Sequence, residues 1–364
     1  MTAGNESQSS TKESPKFGKT IRNDLHRGDF KRTFRREMRD IYQVYLDDET
    51  RDRVSAMGRF RRAIFLAWLV LKSMFFKLTP FRRILLLVSV ALFFTDSGKG
   101  FDGWKLGFSV LLFVLILELK DKLLAQEEIE AGRAVQSALI PDHNPTLSGW
   151  EVWLYTRPAN EIGGDLVDYL MVDKERLGVA LGDVAGKGLG AALLMAKLQA
   201  TIRAIASSFK SLAELGAQIN NIFCRDSLPN RFASLIYLEL GPGSRRVRLL
   251  NAGHLPPVSI HGDSLREMPR GGTALGIMPD ADYSEEHVDL QSGDLLLAYS
   301  DGLIEARNEQ GDFFGEQHLM DILPRLRGLS AEAAGGRLLA EVDIFVGEAP
   351  RSDDLSLVLL KRVS

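Results

Sequence analysis

Four short turns that contain aspartate are the part of this sequence best suited to chemistry. They lie at residues 162–168, 181–188, 299–302 and 351–354, and apolar, strand-like runs adjoin the acids. A carboxylate at a strand end next to glycine is held by a rigid sheet and is not crowded by a neighbouring side chain. Four such carboxylates brought together would repel one another strongly unless a cation lay between them. Residues 145–364 are therefore predicted to form a site for hard divalent metal ions.

Composition narrows the classes of function. Of the 364 residues, 45% are hydrophobic and 26% are charged, so most of the chain can fold around a core. The formal net charge of −3 gives no overall basic excess for binding nucleic acid. The single cysteine, Cys224, excludes a disulfide within the chain and a zinc site built from cysteines. The six histidines are scattered, so carboxylates are the available metal ligands.

Two glycine-rich segments resemble parts of nucleotide-binding proteins without matching them. Segment 181–188 resembles a phosphate-binding loop, but leucine stands at its first glycine position and glycine replaces the final serine or threonine. Segment 163–167 begins like the core of diguanylate cyclases, but leucine and valine follow the aspartate where glutamate and an aromatic residue are expected. An isolated aspartate in such a turn is most often a helix cap or a turn residue. Four turns in order, each beside a strand, favour the metal site instead.

Six motifs carry a resemblance to a known family. Taken in order, they resemble the successive motifs of the metal-dependent PPM-type serine/threonine phosphatases, in the bacterial branch typified by RsbU and SpoIIE. The resemblance covers residues 136–364, and the helix that ends at residues 136–141 is similar to the linker helix of RsbU-like proteins. The motifs are PANEIGGDLVDY, LGDVAGKGLGAALLMA, NAGHLPP, GGTALGI, YSDGLIEARNEQGDFFG and DDLSLVLLK.

The resemblance implies an α+β fold, a four-layer α-β-β-α sandwich, with two Mn²⁺ or Mg²⁺ ions at one end of the sheets. Carried over motif by motif, Asp183 would bridge both ions and the backbone carbonyl of Val184 would bind the second. Asp301 and Asp353 would complete the coordination of the first ion, and Asp165 would hold the second directly or through water. Asp183, Asp301 and Asp353 are thereby also the expected catalytic residues.

Other residues near these motifs are given lesser roles. Asp354 is the weaker ligand candidate of its pair, and Asp168 is expected to support a ligand rather than bind metal. Lys187 could orient the phosphate or the phosphoprotein, or it could be a solvated surface lysine, and Arg157 is a candidate to hold phosphate. His254 is interpreted as a structural loop residue.

The implied activity is hydrolysis of phosphoserine or phosphothreonine by water that two metal ions activate. In RsbU-like relatives the substrate is a phosphorylated anti-anti-sigma protein of the STAS type, so such a phosphoprotein is the expected partner. Two alternatives remain open. One is a catalytically silent module of the same fold that docks or senses a phosphoprotein, and the other is a scaffold whose membrane part is the receptor.

The N-terminal third has a different composition. Residues 1–60 are highly charged and are interpreted as a partly disordered cytoplasmic segment, and residues 61–119 contain three apolar stretches. The last two stretches predict a helical membrane hairpin at about residues 81–119, since basic residues flank it and aromatic residues lie near one edge. Both ends would face the cytoplasm. The prediction is a protein of the bacterial inner membrane, in contact with lipid, with its catalytic domain in the cytoplasm.

Alternatives also remain open for this region. The first stretch, Ala63–Phe76, is split by Lys72 and could be a third span or an interfacial helix. All three stretches could instead be core helices of a soluble regulatory domain. Residues 118–141 form an amphipathic linker helix that ends at a proline. This helix could pack on the phosphatase-like domain, residues 145–364, or form a coiled coil that supports a homodimer.

Periodicity predicts two sheets covered by helices in the C-terminal domain, rather than a doubly wound fold. Predicted helices lie near Gly190–Ala206, Leu212–Asp226, Glu316–Arg325 and Ala331–Val346. The predicted strands are Glu151–Tyr155, Leu166–Val172, Leu177–Leu181, Ala233–Leu240, Arg246–Leu250, Val258–His261, His287–Leu290, Leu295–Tyr299 and Leu355–Leu360.

Overall fold

A computed structural model describes residues 58–94, 96–97, 101–226, 231–262 and 264–363. Almost all of the charged N-terminal segment predicted from the sequence lies outside these residues. The chain forms two compact units, and the division between them lies between Asp121 and Lys122.

The N-terminal unit is built from helices. Helix α1 spans Arg59–Lys77 and helix α2 spans Pro80–Phe93. Two short strands, β1 (Asp96–Ser97) and β2 (Phe101–Asp102), pair antiparallel before helix α3 begins. Helix α3 spans Gly103–Leu139 and continues into the second unit.

Helix α2 and the first part of α3 pack against each other in antiparallel directions. The Ser89 hydroxyl donates to the Gly107 carbonyl at 2.7 Å, and a Cβ at Gly107 would lie 2.8 Å from the Ser89 carbonyl oxygen. Arg82 donates to Glu118 at 2.8 Å and to Asp121 at 2.6 Å. A glycine at the closest approach therefore lets the two backbones meet, and a charged cluster joins the other end of the pair.

Helix α3 has no break at residue 118, the predicted start of the linker helix. Helix α3 is a continuous helix of 37 residues, about 56 Å long by the usual rise per residue. The residues that follow Glu118 are mostly strong helix formers, and the next proline is Pro141. The change from apolar to charged composition therefore alters the surface of the helix but not its backbone.

Membrane spans in this unit are not confirmed. Within the described residues, one helical segment is long and apolar enough to cross a membrane, and this segment is Leu189–Ser208 in the C-terminal unit. That segment contains helix α4 (Leu189–Ile205), whose buried residues pack on a sheet as a core helix would. Large apolar side chains of α2 and α3 are nevertheless exposed, including Phe81, Leu115 and Leu119 at 62%, 56% and 57% respectively.

The described part of the C-terminal unit contains two antiparallel sheets. The six-stranded sheet has the order β10-β9-β12-β13-β4-β3, and the five-stranded sheet has the order β11-β8-β7-β6-β5. In chain order the strands are β3 (Thr146–Leu147), β4 (Trp150–Arg157), β5 (Leu166–Met171), β6 (Leu177–Val184), β7 (Ala233–Leu240), β8 (Arg246–Ala252), β9 (Val258–His261), β10 (Ser264–Glu267), β11 (Glu285–Asp289), β12 (Leu295–Tyr299) and β13 (Leu355–Arg362).

The two sheets face each other across a buried apolar layer. Side chains of most strands enter this layer, among them Val179 and Leu181 from β6 and Val358 and Leu360 from β13. The opposite faces of the sheets are covered by helices, so the layers run α-β-β-α. This is the α+β sandwich that the sequence predicts.

Two pairs of helices cover the outer faces of the sheets. Helices α4 and α5 (Leu212–Asp226) bury their apolar sides on the five-stranded sheet. Helices α7 (Gly315–Ile322) and α8 (Ala331–Val346) do so on the six-stranded sheet. A short helix, α6 (Asp301–Ile304), follows β12 directly.

Most predicted elements are present with ends that differ by one or two residues. The exceptions are local, and one is strand β6, which continues three residues beyond its predicted end to Val184. The predicted helix 316–325 ends at Ile322 and continues as a 3₁₀ turn, Leu323–Leu326, which contains Pro324. The polar edge strand β10 and the four-residue helix α6 have too little periodicity to be predicted.

Candidate metal centre

Strands β5 and β6 bring the first two acids together. Asp165 immediately precedes β5, and Asp183 is the penultimate residue of β6. Leu166 pairs with Gly182 in antiparallel register. Asp165 and Asp183 therefore lie at the same end of this strand pair, although 18 positions separate them in the sequence.

Strands β12 and β13 bring the other two acids, Asp301 and Asp353, together. Tyr299 at the end of β12 pairs with Leu357 near the start of β13, which places Asp301 and Asp353 at one end of the six-stranded sheet. Ser300 fixes this end, because its amide donates to the Ser356 carbonyl at 3.0 Å and its hydroxyl accepts from the Ser356 amide at 2.9 Å.

Asp165 is buried and incompletely satisfied. Asp165 is 6% exposed, and its Oδ2 has no hydrogen-bond partner. Burial, together with the nearby charge of Asp183, raises the pKa of Asp165 well above its ordinary value, and the Ser356 hydroxyl opposes this shift. A bound cation would satisfy a buried carboxylate oxygen that has no hydrogen-bond donor.

Asp183 and Asp301 belong to the same electrostatic cluster. Burial is the main cause that raises the pKa of Asp183, followed by the charges of Asp353 and Asp354. Burial and the charges of Asp183 and Asp353 raise the pKa of Asp301 to about 6. The acids from three separate segments are therefore close enough to repel one another.

The donor set fits a hard divalent cation. The contributors are carboxylates and the carbonyl of Val184, which approaches the backbone at Gly164: a Cβ built there would lie 3.3 Å from that oxygen. Within the described residues, no three acidic, histidine or cysteine side chains converge to metal-ligand distances.

Asp354 holds the loop that leads to Asp165. Its Oδ1 accepts from the Ala159 amide at 2.7 Å, and its Oδ2 accepts from the Gly164 amide at 2.5 Å. A Cβ at Gly163 would lie 2.7 Å from this Oδ2, so glycine is required for the contact. Both oxygens of Asp354 thus accept hydrogen bonds from the loop.

Gln136 is a contributor that the sequence motifs do not identify. It lies near the end of α3 and is 6% exposed. Its side-chain amide donates to the Gly163 carbonyl at 2.7 Å, and its Oε1 accepts from the Gly163 amide at 3.1 Å. The linker helix therefore bonds directly to the loop that carries Asp165. A glutamine in an amphipathic helix is ordinarily a solvent-facing residue, so the sequence gives no signal of this contact.

Lys187 and Arg157 occupy different environments. The Lys187 ammonium lies 2.9 Å from Asp353 Oδ2 and 3.1 Å from the Ser352 carbonyl, so it is at the candidate metal centre. Arg157 instead forms a two-pronged contact with Asp343 at 2.8 and 3.1 Å.

Asp168 and His254 form their hydrogen bonds with residues outside the acidic cluster. Both Asp168 oxygens accept from Arg203, at 2.6 and 2.7 Å, so its predicted support of a metal ligand is replaced by an ion pair with α4. His254 is buried, and burial lowers its pKa to about 4. Its backbone amide donates to the Asn251 side chain at 2.8 Å, which agrees with a structural loop role.

A family model described as Stage II sporulation protein E (SpoIIE) matches residues 173–363, more than half of the chain. The chain belongs to the SpoIIE family. The matched residues include the second, third and fourth aspartate turns, and the first turn precedes them. Membership agrees with the resemblance read from the motifs.

Curated relatives of this SpoIIE-family chain are distant in sequence. Protein IcfG of Synechocystis sp. is 25% identical over 224 residues, which cover 54% of this chain and 35% of IcfG. Phosphoserine phosphatase RsbU of Bacillus subtilis is 24% identical over 239 residues, covering 65% and 70% of the two chains. Phosphoserine phosphatase RsbP of the same organism is 27% identical over 191 residues, covering 50% and 47%. The match thus spans about a third of IcfG and about half of RsbP.

Solved structures support the fold. The SiaA PP2C domain of Pseudomonas aeruginosa aligns with a TM-score of 0.58 and 20% identity, over 67% of this chain and 99% of that one. The phosphatase domain of SpoIIE from Bacillus subtilis, with a fragment of its regulatory domain, aligns with a TM-score of 0.53 and 18% identity, over 59% and 64%. The SpoIIE-family chain therefore has a PP2C-like α+β fold.

Proposed function

We propose that this chain is a metal-dependent protein serine/threonine phosphatase. The observation that carries the proposal is the placement of Asp183, Asp301 and Asp353, which come from three distant segments, at one end of the sandwich. The charges of Asp183 and Asp353 help to raise the pKa of Asp301, which agrees with this placement. Two relatives whose printed names are phosphoserine phosphatase, RsbU and RsbP, support the same reaction class. The oxygen of Asp165 that has no hydrogen-bond partner supports a site for a cation.

The proposed ligand assignment follows the family resemblance. Asp183 would be a ligand shared by two Mn²⁺ or Mg²⁺ ions. Asp301 and Asp353 would complete the ligands of the first ion, and Asp165 and the Val184 carbonyl would bind the second. Asp354 stays with the loop backbone, since both of its oxygens already accept amide hydrogens.

The chemistry that the site must perform is attack of water on a phosphate monoester, whose anionic oxygens repel a nucleophile. When bound, the divalent ions supply positive charge against those oxygens and lower the pKa of the attacking water. The carboxylates hold the reacting groups in fixed positions because rigid strand ends carry them. Lys187, beside Asp353, can donate a hydrogen bond to a phosphoryl oxygen. His254 takes no part as an acid, since it is buried and its pKa is about 4.

The test is Mn²⁺-dependent hydrolysis of p-nitrophenyl phosphate by the full chain. Asp183→Asn is expected to abolish turnover while the domain stays folded by circular dichroism. Asp142→Asn changes an exposed acid near the start of the domain and is the matched control, with turnover retained. Unchanged Mn²⁺-dependent turnover in Asp183→Asn would refute the metal assignment. A wild-type chain that binds phosphoproteins but never turns over would favour the catalytically silent module.

The proposal also includes attachment to the bacterial inner membrane, with the catalytic domain in the cytoplasm. The support is physical: a water-exposed helix normally has a polar face, yet large apolar side chains of α2 and α3 are exposed, and Phe94 between them is 84% exposed. Basic residues at both ends of residues 81–119 favour a cytoplasmic location of those ends. Sedimentation with membranes after mild lysis is expected, and recovery of the full chain in the soluble fraction would remove this part of the proposal.

The proposed partner is a phosphorylated anti-anti-sigma protein of the STAS type, on the ground of the RsbU-like resemblance. A homodimer through the exposed side of α3 accompanies the proposal, because Leu123 and Val135 on that helix are 51% and 64% exposed. Incubation of the full chain with candidate phosphoproteins, followed by phosphate release, would identify the substrate. Light scattering of the same preparation would measure the oligomeric state.

A further inference from the structure

A cavity adjoins the candidate metal centre. Its volume is about 310 Å³, and it lies among the end of α8, the short helix α6 and the turn at residues 347–353. Asp353 and Gly302 form part of its wall. A group bound in this cavity would therefore be a neighbour of a phosphate ester at the metal centre.

Three arginines line the cavity. Arg157 is held by Asp343, and its Nε is buried without a hydrogen-bond partner. The guanidinium of Arg307 lies 4.5 Å from the ring centroid of Phe313, and Arg351 is exposed. Across the described ranges, neither Arg307 nor Arg351 forms an ion pair with a carboxylate. The wall consequently has two guanidinium groups free to bind an anion.

We propose that this cavity receives the carboxylate of an acidic side chain that flanks the phosphorylated residue of the substrate protein. The inference rests on the proposed phosphatase function and specifies its substrate class. A guanidinium matches a carboxylate with two parallel hydrogen bonds, which lysine or a neutral donor cannot reproduce. The volume is at the lower end for ligand pockets, about 300–1,000 Å³, so it suits one side chain rather than a whole peptide.

The same charges would discriminate among substrates. An acidic flanking residue gains a charge-assisted contact with Arg307 or Arg351, whereas a neutral residue leaves both guanidinium groups in water. A basic flanking residue would meet like charge, which disfavours binding. The preference would act on substrate binding and not on the reacting atoms, so it should appear in KM more than in kcat.

The experiment uses the full chain, Mn²⁺ and pairs of phosphoserine peptides that differ only by glutamate or glutamine at one flanking position. At one or more positions, the glutamate peptide is expected to have a kcat/KM about tenfold higher, the effect of one charge-assisted contact. Arg307→Gln and Arg351→Gln should each reduce this ratio, and the double variant should bring it close to one. Raised salt should reduce the ratio in the wild-type chain, because the contact is partly exposed.

Arg337→Gln is the matched control. Arg337 lies on α8, the helix that carries Asp343, but pairs with Glu341 at 3.0 Å and does not line the cavity. Its variant should keep the full glutamate preference. A preference lost equally in Arg337→Gln would indicate a general charge effect and would overturn the proposal.

Hydrolysis of p-nitrophenyl phosphate distinguishes a failure of the cavity proposal from a failure of the phosphatase proposal. If this small ester is hydrolysed but glutamate and glutamine peptides are hydrolysed equally at every position, the cavity proposal is wrong and the phosphatase proposal stands. If neither substrate is hydrolysed, the proposed function fails and this inference fails with it. If the double variant only relieves inhibition by inorganic phosphate, the cavity binds free phosphate and the assignment to a flanking carboxylate is wrong.

Discussion

The ammonium of Lys187 lies 2.9 Å from Oδ2 of Asp353, a carboxylate proposed to bind metal. Their side chains are 56% and 34% exposed, so the contact is at the mouth of the acidic cluster. A lysine in this position supplies positive charge where the neighbouring acids repel one another. Because an ion bound to Asp353 would replace this contact, Lys187 and the metal compete for one carboxylate oxygen.

Lys187→Met is expected to bind Mn²⁺ more tightly, by up to about fivefold, since it removes a competing charge whose exposed ion pair contributes up to about 1 kcal/mol. Calorimetric titration of the full chain measures this without reference to activity. Lys174→Met, which changes an exposed lysine in the turn between β5 and β6, should leave the affinity unchanged. Weaker binding in Lys187→Met would mean that Lys187 orders the site rather than competing for it.

Metal-free protein should become more stable when the cluster loses a charge. The pKa of Asp301 is raised to about 6 from an ordinary 3.8, so its contribution to stability is present when it is protonated and is lost as pH rises through about 6. In a chelator at about pH 7.5, Asp301→Asn should therefore unfold at higher urea than the wild-type chain, and the difference should shrink toward pH 5. A variant less stable at both pH values would contradict the repulsion argument.

His254 should give the opposite pH dependence. Its pKa is lowered from 6.5 to about 4 by burial, so the unfolded chain binds a proton that the folded chain does not, and stability falls as pH drops below 6.5. At about pH 5.5 the loss should be roughly 1 to 1.5 kcal/mol relative to neutral pH. His254→Gln should remove this slope in urea titrations, whatever its effect at neutral pH. An equal slope in both proteins would mean that His254 is protonated when folded.

The sequence predicts the sandwich because its strands are apolar runs bounded by glycine and acidic turns, each of which is a local signal. It predicts the four acids because each adjoins such a run. It does not predict the bonds between distant segments, such as those of Asp354 to Gly164, 190 positions apart, or of Arg157 to Asp343, 186 positions apart. These contacts depend on how loops close over the sheet ends, and residue type alone carries no signal for that.

Gln136 allows the most direct test of how α3 supports the site. Its side chain makes both hydrogen bonds to Gly163, and the next residue, Gly164, donates to Asp354. Gln136→Ala should destabilise the metal-free chain by about 1–3 kcal/mol, because two buried backbone groups lose their partner. It should also weaken Mn²⁺ binding, since the loop that carries Asp165 is less ordered.

Urea unfolding and a Mn²⁺ titration of the same protein measure the two effects separately. Gln126→Ala is the matched control, because it makes the same change at an exposed position of α3 and should alter neither quantity. A loss of stability with unchanged Mn²⁺ affinity would show that the bond anchors the helix without shaping the metal loop. Loss of both in Gln136→Ala alone would establish that the linker helix and the metal centre are coupled through a single side-chain amide.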